Sequence, residues 1–178
     1  TDMVDVKGQI DFTHKLFPKA KKIGLLYNAA EENSVFQIKL AKQEIKKLGL
    51  TAVVKTAATT NDVQQATETL ASQVDAIYIP TDNTAAAAMP TFGKVSEAKQ
   101  VPVVNADATM IKTGGVATKG INYEDLGKQT AKLAVKLLKG KKVKDLAIES
   151  PAKTELVSNA KRMKLFNLTQ ADLEKASK

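Results

Sequence analysis

Three features of the sequence predict an α/β fold, a doubly wound parallel sheet with helices on both faces. Short apolar runs of strand length alternate with longer segments of helical periodicity, the pattern of successive βαβ units. The inner runs "KIGLLYN" (22–28) and "DAIYIPT" (75–81) are mostly apolar rather than alternating, as in strands covered on both faces of a parallel sheet. The 178 residues, 43% of them hydrophobic, suffice to bury a sizeable core, and no internal repeat divides them.

Taken in order, the chain opens with a helix expected over about residues 6–17 and stopped by Pro18, since proline can neither donate to the helical ladder nor fit behind the preceding turn. The first strand, 22–28, ends in Asn28. An amphipathic helix, "NSVFQIKLAKQEIKKLG" (33–49), closes on Gly49, the residue that most easily takes the left-handed cap position. "TAVVKTAA" (51–58) is the second strand, "NDVQQATETLASQ" (61–73) the next helix and "DAIYIPT" the third strand. "NTAAAAMPTFGKVSEAKQ" (83–100) is helical with a break at Pro90, and "VPVVNAD" (101–107) and "VATKGIN" (116–122) are strands four and five. A long helix, "YEDLGKQTAKLAVKLLKG" (123–140), ends at Gly140; "LAIESP" (146–151) and "TELVSN" (154–159) are expected as short strands before a last helix from about Gln170. Alternation of this kind requires right-handed crossovers. The common strand order 2-1-3-4-5 would open a crevice at the carboxyl ends of strands 1 and 3, where such folds hold ligands.

Composition removes several classes of function. The net charge is +8, yet only Arg162 among the 27 basic residues is arginine, whose planar fork is the better reader of bases and phosphates. Lys128, Lys132, Lys136 and Lys139 follow helical spacing opposite Leu126, Leu133, Leu137 and Leu138, which describes a solvated amphipathic face, so nucleic acid is not an expected partner. Cysteine is absent, which removes disulfides and thiolate chemistry. No apolar run approaches the ~20 residues of a membrane-spanning helix. Thr1 is not a natural start, so a signal peptide or a further domain is expected upstream. There is no glycine-rich phosphate loop and no G-x-S-x-G nucleophile elbow, and the single histidine, His14, belongs to the first helix as a surface or half-buried residue. No catalytic residue, cofactor or resident metal is therefore expected, and the chain reads as a binding protein rather than an enzyme. Glu31, Glu32, Asp82 and Asp107 follow strands 1, 3 and 4 and could be drawn together around Mg²⁺, but an acidic pair directly after strand 1 is missing.

The crevice residues fit a zwitterion better. Ser34 and Gln37 make an S-x-x-Q capping-box pattern, which would aim the positive end of a helix at the crevice and suit a carboxylate. Across from it Asp82 offers a fixed negative charge for an ammonium group, with Asn28, Thr81, Asn83 and Asn105 as neutral hydrogen-bonding groups. Each of these also has a plainer reading, in which Ser34 caps one helix and Asp82 or Asn83 the next.

The stretches "KIGLLYN…ENSVFQIK", "NDVQQATETLASQVDAIYIPTDNT", "VPVVNADATMIKTGGVATKGINYEDLGKQTAKLAVKLLKG" and "ELVSN" resemble the ABC-transporter solute-binding proteins of the tryptophan/aromatic amino-acid uptake class, over about residues 1–168. The resemblance implies a type I periplasmic-binding fold of two lobes closing on a ligand, of which this chain is mainly the second. It implies a lobe over 1–122, a helix crossing toward the absent first lobe over 123–144, and a return segment with a C-terminal helix over 145–178. It places Asn28, Ser34, Thr81, Asp82 and Asn83 in the ligand cleft, adds Asp107, and implies an amino-acid ligand such as tryptophan or phenylalanine. Stacking by Tyr27 or Tyr78 would suit such a ligand, although both residues also suit the packing around a parallel sheet. An extracytoplasmic location, as a cell-surface lipoprotein or in the periplasm, and an ABC permease as partner follow from the same resemblance. The alternative is the effector domain of a repressor-like regulator, which shares this fold. Deprived of its first lobe, the helix at 123–140 is expected to seek cover, by self-association or against this lobe.

Overall fold

Residues 3–178 are described by a computed structural model. Their elements run α1 (Val6–Leu16), β1 (Lys22–Tyr27), α2 (Glu32–Lys47), β2 (Thr51–Thr56), α3 (Thr60–Ala71), β3 (Ala76–Ile79), α4 (Asn83–Ala87), α5 (Met89–Lys99), β4 (Val103–Asn105), β5 (Ala117–Ile121), α6 (Tyr123–Leu138), β6 (Thr154–Ser158), α7 (Ala160–Leu165) and α8 (Gln170–Ser177), with 3-10 turns at Ala108–Lys112 and Val143–Asp145. The first four strands form a parallel sheet in the order β2-β1-β3-β4. Ile23 lies opposite Ala52 on one side and Ala76 on the other, and Ile77 lies opposite Val103.

Because side chains alternate across a strand, each central strand feeds two cores. Ile23 and Leu25 of β1, with Ala76 and Tyr78 of β3, pack under α1, α2 and α8, against Ile10, Phe12, Ile38, Ile45 and Leu173. Leu26, Ile77, Ile79 and Val103 face the other way, onto Val63, Leu70, Met89 and Phe92 of α3 and α5. This explains why the inner runs are apolar almost throughout: both faces of the strand are interior. Gly24 has a packing reason, since a β-carbon there would stand 2.9 Å from two carbons of Leu70 and 3.0 Å from Val74. Gly24→Ala is accordingly expected to cost about 1–3 kcal/mol by overpacking, measurable as a lower urea midpoint with an unchanged slope.

The predicted fold class holds, but the fifth strand departs from the expected order. Val116 still donates its N–H to the Val103 carbonyl (2.8 Å), then the chain leaves the sheet, and the Val116 carbonyl accepts from Asn159 (2.9 Å). From there β5 pairs antiparallel with β6, Ala117 opposite Ser158 and Ile121 opposite Thr154. The expected strand at 146–151 does not form: Ile148 is 88% exposed, and an apolar run without a strand beside it has no ladder to join. The sequence reading did not include α7, which Asn159 caps through its side chain and whose Arg162 reaches across to the Gly93 carbonyl and to Glu97. The break in the helix at 83–100 falls at Ala88, and Pro90 stands in the first turn of α5, where its missing N–H is not needed.

α6 is the outlier in packing. None of its residues is buried; Tyr123, Val135 and Leu137 are exposed, and Leu138 is 87% exposed. Leu126 alone in this helix is packed against the main core, as a partly buried residue. The Gln129 side chain ties the helix to the returning chain, donating to Glu149 and to the Ser150 carbonyl.

Candidate functional site

The site builds from two loops that leave the sheet side by side, β1 into α2 and β3 into α4. Asn28 opens the first. Its backbone N–H donates to Asp82 Oδ2 (2.8 Å), its Oδ1 accepts from the Ala30 N–H (2.9 Å), and its Nδ2 donates to Thr84 Oγ1 (2.9 Å) and the Ala58 carbonyl (3.3 Å). Asp82, 3% exposed, caps α4 by accepting from the Ala85 N–H at Oδ1 (2.8 Å). Both of its oxygens are thus engaged by backbone amides, one on each side of the crevice.

Thr81 is held entirely from α2. Its carbonyl accepts from Asn33 Nδ2 (2.9 Å) and Ser34 Oγ (3.3 Å), its N–H donates to Gln37 Oε1 (3.1 Å), and its hydroxyl accepts from Gln37 Nε2 (2.5 Å). The capping-box reading of Ser34 and Gln37 is therefore corrected. The helix starts three residues earlier than a Ser34 cap would set it, at Glu32 with Glu31 as N-cap, and Ser34 and Gln37 are buried on the face that grips the β3 end. No side chain caps the α2 N-terminus.

Glu31 turns instead toward the second loop. Its Oε2 accepts from the backbone N–H and the Nδ2 of Asn83 (2.9 Å each), and its Oε1 from the backbone N–H (3.1 Å) and hydroxyl (3.2 Å) of Thr84. Partial burial pushes the Glu31 carboxyl up, but these hydrogen bonds outweigh it and hold the group below the usual carboxylate range. A depressed value means that the contribution of Glu31 to the folded state is complete at neutral pH and lost only as the pH falls through that lowered value.

Asn28, Ser34, Thr81, Asp82 and Asn83 are thus gathered in one polar network. Asn105 and Asp107 stand apart from it, on the far side of β3 from β1. Asn105 is fully buried, with its amide nitrogen on the Asp107 carbonyl and its Oδ1 against Gly115, where a β-carbon would collide with it. The Asp107 carboxylate caps the following 3-10 turn through the Thr109 N–H (2.7 Å) and hydroxyl (2.8 Å). Tyr78 lies in the core under α1, where burial pushes its phenol well up, so it is not available to stack on a solute. Tyr27 is half-buried at the end of β1. Asn33 and Thr84 were missed in the sequence, and Glu31 and Gln37 were singled out there in other roles, as a candidate metal carboxylate and as half of a capping box. The signal for Asn33 and Thr84 was that polar residues crowd at the ends of both strands.

The chemistry on offer is recognition. Among the described residues no group of three or more acidic or histidine side chains is placed to hold a metal ion, and His14 is half-buried in α1. What the two loops present are amide and hydroxyl groups in fixed orientations, two carboxylates held in place, and a helix N-terminus with no side-chain cap. A cavity of about 300 Å³ lined by Gln9, Phe12, Lys119 and Ser177 lies elsewhere, between α1, β5 and the C-terminal end.

Comparison with known proteins agrees with this chemistry. The ABC transporter substrate binding protein family matches residues 1–175. A tyrosine-binding protein of Clostridioides difficile (strain R20291) is 32% identical over 168 residues, which are 94% of this chain and 49% of that protein. Among solved structures, an ABC domain in complex with L-Trp from Streptococcus pneumonia superposes with a TM-score of 0.85 at 30% identity, covering 95% of this chain and 58% of that one. The ligand-free, open structure of a substrate binding protein with adhesive properties from Clostridium difficile does so with a TM-score of 0.80 at 34% identity, covering 96% and 58%. The chain spans about half the length of the curated relative it matches. With the family matched along almost all of its length and the fold shared with these structures, the chain belongs to the ABC transporter substrate-binding proteins.

Proposed function

We propose that this chain is the second lobe of a receptor that delivers an amino acid, aromatic by preference, to an ABC importer, and that the solute binds at the joined ends of β1 and β3. The observation that carries this reading is the network itself. Two loops joined by contacts between residues 53 and 54 positions apart in sequence are locked into one polar lip, beside the N-terminus of α2, whose amides no side chain caps and whose dipole favours a carboxylate. The relatives named for tyrosine and crystallised with L-Trp support an amino acid as the solute. Nothing in the geometry favours the regulator alternative, and the matching family is one of transport proteins.

On this reading the lobe occupies residues 1–122. The helix over 123–144 crosses to a first lobe, and residues 145–178 return. The segments around Val4, Ile121 and Pro151 converge on one cavity of about 200 Å³ and would form the hinge. The permease contact, the extracytoplasmic location and a lipid anchor belong to the same proposal; among the described residues no helix is long and apolar enough to cross a membrane. The test is calorimetric titration of the full gene product with the twenty amino acids, with sugars and nucleotides as controls. Saturable binding of an aromatic amino acid is expected, and saturable binding of a sugar with no response to any amino acid would overturn the ligand class. The 178 residues alone should bind in the millimolar range at best, since half a cleft leaves the charged ends of the solute in water.

A further inference from the structure

Resting on the amino-acid-binding reading, we infer that Glu31 is a positioning residue of the crevice: it sets the orientation of the Asn83 and Asn28 amides and, through them, the affinity for the solute. A carboxylate offers about four lone-pair positions and no proton, so it can only accept. In Glu31 all four are taken, two by Asn83 and two by Thr84. The residue therefore has no acceptor position left for a solute and acts through its neighbours.

The direction of the network follows from that single acceptor. Since the Thr84 hydroxyl must give its proton to Glu31, its oxygen is left to accept, and the group placed to donate is Asn28 Nδ2 (2.9 Å). With its nitrogen so committed, Asn28 turns its Oδ1 to the Ala30 N–H. On the other oxygen, one Asn83 amide hydrogen is fixed by Glu31, and among the described residues no hydrogen bond uses the amide oxygen or the second hydrogen. Asn83 is exposed, and an exposed side chain ordered before the solute arrives loses less freedom on binding. Hydrogen bonds to an ionised acceptor are the stronger kind, and the lowered carboxyl range keeps Glu31 ionised at neutral pH.

The experiment is a double-mutant cycle on solute affinity, measured by calorimetry on the full gene product with the amino acid that the wild type binds. Glu31→Gln keeps the reach of the side chain but turns an NH2 group toward a pair of donors. It should weaken binding roughly tenfold, the scale of one lost charge-assisted hydrogen bond. In an Asn83→Ala background the same change should cost at least threefold less, because the one group that Glu31 orients directly toward the solute is gone and only the route through Thr84 to Asn28 remains. Amide exchange of Asn83 and Thr84 should quicken in Glu31→Gln while the sheet amides stay protected. Unchanged affinity, or an equal loss in both backgrounds, overturns the positioning role. Should Glu31→Gln fail to fold, Glu31→Asp keeps the charge at shorter reach, and a wild-type affinity in that variant overturns the role as well. A wild type that binds no amino acid overturns the proposed function, and this inference with it.

Discussion

Asp82→Asn is expected to destabilise the lobe by about 2 kcal/mol, the penalty of leaving one buried amide facing a group that cannot accept from it. The carboxylate serves two backbone N–H groups, of Asn28 and Ala85, from a position 3% exposed. An asparagine has one oxygen for the two of them, and its NH2 group must confront the other. For a chain of this length that is a fall of roughly 4–8 °C in melting temperature. Asp82→Ala should fall further, since both amides lose their acceptor and α4 loses its cap, worth about another 1 kcal/mol. Thermal melts of the 178-residue chain read this directly, and parallel titration of the full gene product separates the two roles open to Asp82. A lower melting temperature with solute affinity retained identifies a structural cross-link between the lips. Affinity lost at an unchanged melting temperature would return the residue to the ammonium contact expected from its charge beside the crevice.

The second large effect concerns α6. A stripe of Tyr123, Val135, Leu137 and Leu138 stands exposed on this helix, with Val143 exposed just beyond it, and an apolar patch of that kind is an association site. The isolated chain is expected to form dimers in sedimentation velocity. Leu137→Lys combined with Leu138→Lys should return it to monomer without lowering its unfolding midpoint, because neither side chain is buried in the monomer. Lys128, Lys132, Lys136 and Lys139 lie along the same helix, so two copies meeting here bring like charges together, and association should strengthen severalfold as salt screens them. A chain that stays monomeric at high concentration, with α6 strongly protected from hydrogen exchange, would show that this helix needs no partner and would count against its proposed crossing to a first lobe.

How much of this was legible beforehand differs from element to element. β1 and β3 could be read because burial on both faces leaves them nearly free of polar residues, a one-dimensional signal. The crevice followed from strand order alone, which grouped Asn28, Ser34, Thr81, Asp82 and Asn83 but also counted Asn105 among them, and Asn105 stands apart beyond β3. The hydrogen-bond assignments inside that crevice were not legible. Ser34 and Gln37 carry the spacing of a capping box, but whether a serine caps a helix or stands inside it depends on where the first turn closes. Here the loop geometry lets Glu31 take the cap position while its side chain serves the opposite lip.

By itself, the sequence determined the α/β class, the parallel pairing of the first four strands and the end of the sheet at which the polar residues of two loops gather. Each depends on periodicity or chain order, quantities that local residues encode. Only the tertiary structure decided that β5 leaves the sheet for β6, that Asn105 and Asp107 stand outside the network, that Asp82 is spent on backbone amides, and that Glu31 organises the lip. These are pairings between residues 30 to 55 positions apart, or choices among several acceptors within reach of one donor. Both are settled by which groups burial leaves unpaired, since a buried amide or hydroxyl must find a partner wherever the fold brings one near.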